Sequence, residues 1–259
     1  MAGQYPWKVA WITGASGAIC GEIARRLAAA GVAIAATARP SEKLDQLAAS
    51  SERIKPFPAD VLKPDELKTS VSKIESALGP IDLALLGAGM YVPFDIRNID
   101  LDGFHRTMAL NVDGVINAVA VVLPKMLARS SGHIAIMGSL FGYTGWPENG
   151  SYGASKAAVI NLVQTSAYQL AGSGIRVNAI CPGLIETGMT QPLFDYARSV
   201  GKENKIGQLN PLRRGGQPDE IARVALFLSS DEASYVNGQA WAVDGGLSAS
   251  LPIVPGRMA

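Results

Sequence analysis

Along nearly the whole chain, short apolar runs with little polar alternation are separated by stretches of helix length. The runs fall at 8–13 (KVAWIT), 32–37, 54–58, 82–86, 133–138, 175–181 and 239–243. A strand with one face in water alternates apolar and polar residues, whereas a strand covered on both faces reads as a continuous apolar run. Strands of the second kind, joined by segments long enough to cross back over a sheet, predict parallel pairing with helices on both faces. Helices are expected at 19–30, 41–49, 64–78, across roughly 101–129, at 151–171 and at 218–228, with a variable stretch at 188–214. No Pro/Gly/Ser-rich linker divides the chain and no repeat period recurs. The expectation is one doubly wound α/β domain spanning 1–259, with a central parallel sheet flanked by helices.

Composition narrows the function classes. Lys and Arg total 23 against 22 for Asp and Glu, and charged residues make up only 17%, so no basic footprint for nucleic acid or an anionic membrane is expected. A hydrophobic fraction of 48% excludes disorder. Cys20 and Cys181 are far apart and His105 and His133 are isolated, which predicts neither a disulfide framework nor a metal site. The first residues lack the features of a signal peptide. The charge-free run at 157–175 contains Asn161, Gln164 and Gln169, so it reads as a buried helix rather than a membrane span, and a cytoplasmic protein is expected.

Glycine is in excess, with 28 residues, and one cluster has an informative position. Thr13-Gly14-Ala15-Ser16-Gly17-Ala18-Ile19-Cys20-Gly21 lies between the first expected strand and the first helix, where free amides and a helix N-terminus can hold a pyrophosphate. This segment resembles the TGxxxGxG turn of the short-chain dehydrogenase/reductase family. The resemblance implies a Rossmann-type fold, with nucleotide contacts at Gly14, Ser16, Gly17, Ala18 and Ile19. Two departures stand out. Ala18 and Cys20 occupy positions where the family usually has its second and third glycines, and Leu86-Gly87-Ala88-Gly89 stands where it typically reads NNAG. Asp60-Val61 resembles the adenine-contacting pair, and Ala88-Gly89 the small residues that let the cofactor pass. Asn178 to Thr187 resembles the N-x3-PG-x3-T segment beside the nicotinamide, with Pro182, Gly183, Ile185 and Thr187 in contact. After the second strand there is no acid to bind a ribose 2′-hydroxyl, and Arg39 can receive a 2′-phosphate. NADP is therefore the favoured cofactor, with NAD the alternative.

Tyr152 and Lys156 form a YxxxK pair, and residues four apart share one face of a helix. A neighbouring ammonium favours the phenolate, so the expectation is a Tyr152 pKa lowered toward working pH for proton exchange with an alcohol or ketone. Ser139, thirteen residues earlier, has the family's spacing for the serine that holds the substrate oxygen, and Asn111 in ALNVDG resembles the fourth catalytic member. By this resemblance the chain is a hydride-transferring oxidoreductase, with Tyr152 as general acid or base.

Substrate choice falls to three variable segments that carry Tyr91, Leu140, Phe141, Tyr143, Trp146, Leu184, Met189 and Phe194. Of these, Leu140, Tyr143, Trp146 and Met189 are the expected substrate contacts. So apolar a lining suits an apolar or cyclic ketone or secondary alcohol. A 3-oxoacyl carrier-protein reductase is the alternative within the family, although Arg97, Arg106 and Arg129 do not form an obvious patch for an acidic carrier. A non-catalytic dinucleotide sensor on the same fold is the alternative of another class. The resemblance also implies a homotetramer built on the helices near 110–129 and 151–171.

Overall fold

Strands β1 (Val9–Thr13), β2 (Ala33–Thr37), β3 (Ile54–Pro56), β4 (Leu83–Leu86), β5 (Gly132–Met137), β6 (Ile175–Pro182) and β7 (Ala240–Val243) form one sheet in the computed structural model, which describes residues 6–249. Residues 1–5, part of the segment expected to lack a signal peptide, and residues 250–259 lie outside that range. The strand order is β3-β2-β1-β4-β5-β6-β7, and every pairing is parallel. Winding reverses between β1 and β4, which makes this the doubly wound α/β fold and opens a crevice beyond the carboxyl ends of those strands.

The unbroken apolar runs are explained by two cores. Trp11, Leu86, Ile134 and Val177 pack on one face with Val71 and Ile74 of α3 (Pro64–Leu78), Val122 and Met126 of α5 (Gly114–Arg129), and Val159 and Val163 of α6 (Gly150–Gln169). Their strand neighbours Ile12, Leu85, Ala135 and Ile180 turn to the other face. There they meet Ile23 and Leu27 of α1 (Ala18–Ala29) and Ile221 and Leu228 of α8 (Pro218–Leu228). Successive strand residues point to opposite faces, and here both faces are dry.

Two elements differ from the sequence expectation. The helix expected across 101–129 is one continuous run, but α4 (Leu101–Met108) passes into α5 through a π-helical turn at Ala109–Asp113, with Asn111 fully buried inside it. By length and composition this run is apolar enough to cross a membrane, yet Val115, Ala118, Val122 and Met126 are spent on the sheet core. Within the variable stretch, α7 (Gln191–Ser199) begins next to Pro192 and buries Phe194 and Ala197. Its nine residues are too few for a strong periodic signal.

Candidate active site

At the nucleotide end the site is built from backbone. The chain leaves β1 at Thr13 and turns through Gly14, whose φ of +66° and closeness to β4 both exclude a side chain. A Cβ there would lie 2.6 Å from the Gly87 carbonyl oxygen. The Gly17 amide donates to the Gly14 carbonyl at 2.9 Å, and Gly17 then caps α1, whose first turn carries no acid. The free amides and positive dipole end of α1 therefore face the crevice, a combination suited to phosphate. The Thr13 hydroxyl oxygen accepts from the Gly87 amide at 3.1 Å and ties the two strand ends together.

The two departures from the family pattern meet at one point. A Cβ on Gly87 would overlap the Cys20 sulfur, so the side chain gained in α1 occupies the space freed at the end of β4. Burial pushes the Cys20 thiol up to about 12, which leaves it a neutral packing group.

A crevice of about 1610 Å³ runs along these strand ends from Arg39 to Tyr152. Of the expected nucleotide contacts it is lined by Gly14, Ser16, Gly17, Ala18, Ile19, Arg39, Asp60, Val61, Ala88, Gly89, Tyr152, Lys156, Pro182, Gly183, Ile185 and Thr187, but not by Asn111, which was also expected to contact the cofactor. The glycine cradle and free helix N-terminus fit a dinucleotide. Arg39 is exposed at the far end, with Ser41 and Lys43 also on the wall.

The opposite end is built from buried polar side chains. Ser139 follows β5 in extended backbone, and its hydroxyl oxygen accepts from the Phe141 amide at 3.2 Å. Tyr152 and Lys156 lie in the first turns of α6. The Lys156 Nζ is buried, donates to the Met137 carbonyl at 2.7 Å and stands 5.6 Å from the centre of the Tyr152 ring. Burial raises the Tyr152 phenol above its ordinary value, and a hydrogen bond with Ser139 only partly opposes this. Burial also brings the Lys156 ammonium down to about 8. The lowered phenol expected from the sequence is thus not found, because desolvation acts against the charged form of each group and dominates both shifts.

Asn111 does not line the crevice. Its side chain accepts from the Met90 amide at 2.8 Å and donates to the Met90 carbonyl at 3.0 Å and to the Ser155 hydroxyl at 2.9 Å. Ser155 in turn donates to the Tyr152 carbonyl at 2.7 Å. Asn111 therefore connects the segment that follows β4 to the turn of α6 bearing Tyr152, and the π-helical turn carries it there.

Leu140, Trp146 and Met189 lie on the crevice wall, together with Phe141 and Leu184. Tyr143 is not on the wall: its hydroxyl donates to the Ala240 carbonyl on β7. Phe194 is buried beneath α7 against Gly215. Wall residues that the sequence did not single out include Glu148, Tyr196, Lys202 and Lys205, all on loops or short elements without a motif. Tyr91 stands edge-on to the Tyr152 ring at 5.8 Å. Arg97, Arg106 and Arg129 are each engaged with acids, Asp95, Asp100 and Glu75 respectively.

A family model described as enoyl-(acyl carrier protein) reductase matches residues 14–248. The 3-oxoacyl-(acyl-carrier-protein) reductase FabG of Thermotoga maritima is 37% identical over 244 residues, covering 93% of this chain and 97% of its own length. A gluconate 5-dehydrogenase from Burkholderia cenocepacia, solved in complex with NADP and tartrate, superposes with a TM-score of 0.88 at 31% identity, over 94% of this chain and 96% of that one. A short-chain dehydrogenase/reductase of glucose/ribitol dehydrogenase type from Brucella melitensis superposes with a TM-score of 0.86 at 33% identity, over 95% and 99% of the two chains. With the parallel sheet in agreement with these matches, the chain belongs to the short-chain dehydrogenase/reductase family and is an oxidoreductase acting between secondary alcohols and ketones.

Proposed function

We propose that this chain is a single catalytic domain that reduces an apolar or cyclic ketone, or oxidises the matching secondary alcohol, with NADP. The observation that carries this reading is the convergence of Ser139, Tyr152 and Lys156 at the end of a crevice long enough for a dinucleotide. The nicotinamide, when bound, supplies or accepts the hydride. Ser139 holds the substrate oxygen by a hydrogen bond, and Tyr152 gives that oxygen a proton in reduction or removes it in oxidation. Lys156 keeps a cation beside the phenol and is itself positioned by the Met137 carbonyl. Asn111 is a positioning residue, holding Tyr152 through Ser155.

The preference for NADP is supported by Arg39, whose planar fork matches a 2′-phosphate, at an end of the crevice where Lys43 adds a second cation. Half-exposed Ile116 and Leu127 on α5, with Tyr168 on α6, support assembly into a homotetramer. A second reading, reduction of a 3-oxoacyl carrier-protein substrate, is favoured by the two exposed lysines Lys202 and Lys205 on the crevice wall.

A screen of aliphatic, cyclic, aromatic and steroid ketones with NADPH and NADH, together with an acetoacetyl thioester, tests these readings. The expected result is NADPH-dependent reduction of the free ketones, with Arg39→Ala lowering the preference for NADPH about tenfold. Turnover confined to the thioester establishes the second reading, and a wild-type preference for NADH overturns the assignment of Arg39.

A further inference from the structure

Among the described residues, three that are not glycine have positive φ: Ser130, Glu148 and Arg213. Ser130 terminates α5, a common place for a left-handed residue. Glu148, at φ +67°, lies just ahead of α6, and its residue lines the crevice four positions before Tyr152. A non-glycine residue in this region is strained, and strain held at a functional wall points to what the side chain does there.

The backbone does not require a side chain at this position. The Glu148 carbonyl accepts from the Phe94 amide at 2.8 Å and from the Tyr91 hydroxyl at 3.3 Å, bonds that a glycine would make equally well and without strain. The carboxylate, by contrast, has no hydrogen-bond or ion-pair partner among the described residues. The Tyr91 hydroxyl bond to the Glu148 carbonyl sets this residue beside the ring that stands edge-on to Tyr152. The wall around it is otherwise aromatic, from Tyr91, Phe141 and Trp146. An ionised carboxylate only accepts hydrogen bonds, so its complement is a donor on the bound molecule. A hydroxyl is the donor that the secondary alcohols of this reaction class themselves carry.

We propose that Glu148 is a specificity residue that selects hydroxyketones and diols, its carboxylate accepting a hydrogen bond from a substrate hydroxyl near the reacting carbon. This deepens, and rests on, the ketone/alcohol oxidoreductase reading above. An ether in place of that hydroxyl removes the donor at almost constant framework. Glu148 is exposed, so an analogue that covers its carboxylate without donating to it forfeits the carboxylate's water contacts, and that loss is the source of discrimination.

The test compares matched pairs with NADPH and the full chain: 3-hydroxy-2-butanone against 3-methoxy-2-butanone, and 2-hydroxycyclohexanone against 2-methoxycyclohexanone. For the wild type, kcat/KM is expected to favour the hydroxyl member of each pair by about tenfold or more. Glu148→Gln, which keeps an uncharged acceptor, should reduce the ratio several-fold. Glu148→Gly should bring it close to one while raising Tm by roughly 2–4 °C through relief of the backbone. A purely structural role would move Tm and leave the ratio alone. Equal rates within each wild-type pair, or a ratio that survives Glu148→Gly, overturns the proposal while leaving the oxidoreductase reading intact. Failure of every ketone in the panel, plain ketones included, overturns both.

Discussion

The two ends of the crevice are built from opposite materials. At the nucleotide end, function depends on side chains that are missing: Gly14, Gly17, Gly87 and Gly89 leave amides and space along the strand ends. At the substrate end it depends on side chains that are present, carried by α6 and by the exposed loops on either side of it. Within that end there is a further contrast. Lys156 is buried and held by one hydrogen bond and Asn111 by three, whereas Trp146 and Met189 are about half exposed. On the proposed reading the interlocked parts carry the reaction, while exposed parts, Arg39 at one end and the loops at the other, choose the cofactor and the molecule turned over. Substrates can then diverge on one scaffold without disturbing the chemistry.

This contrast can be broken by substitution at each end, and the largest stability effect is expected where backbone is packed most tightly. Gly87→Ala places a methyl on the Cys20 sulfur and should cost about 1–3 kcal/mol in urea unfolding. Cys20→Gly in the same chain should recover most of that loss. Additive losses in the double variant would show that the two positions are not complementary.

An intermediate effect is expected from pH. Because the Lys156 pKa is depressed to about 8, the folded chain releases this proton before the unfolded chain does, whose lysine keeps its ordinary value near 10.5. Between those values the unfolded state binds more protons, so this group's contribution to stability rises with pH through that window and is flat below it. Lys156→Met should remove that rise, measured as the difference in Tm between variant and wild type across the window. A parallel pH dependence in the two chains would refute the buried-ammonium assignment. The smallest effect belongs to the loops: Trp146→Ala should change KM for a bulky ketone by about threefold and leave stability within roughly 0.5 kcal/mol.

Legibility from sequence follows the same division. The sheet was readable because two dry faces leave continuous apolar runs, and Tyr152 with Lys156 because helical spacing alone puts them together. Asn111 and Ser139 were recognisable only as parts of a familiar order of residues. What escaped depends on contacts through space. Cys20 and Gly87 look like separate departures from a pattern, and only the packing of α1 on the end of β4 shows them as a pair. Tyr143 reads as a pocket aromatic, yet its hydroxyl is committed to Ala240. Phe194 packs under α7 against Gly215 instead of lining the crevice. Desolvation is equally invisible in sequence, which is why the phenol of Tyr152 was expected to be acidified and is not.

The central claim is that Tyr152 moves the proton while the backbone-built end holds the nucleotide independently. It is tested most directly by measuring NADPH affinity and ketone-dependent NADPH oxidation in Tyr152→Phe beside the wild type. The expected result is an NADPH Kd within about threefold of wild type and a turnover lower by roughly 10²–10⁴-fold. Turnover close to wild type in that variant would contradict the claim.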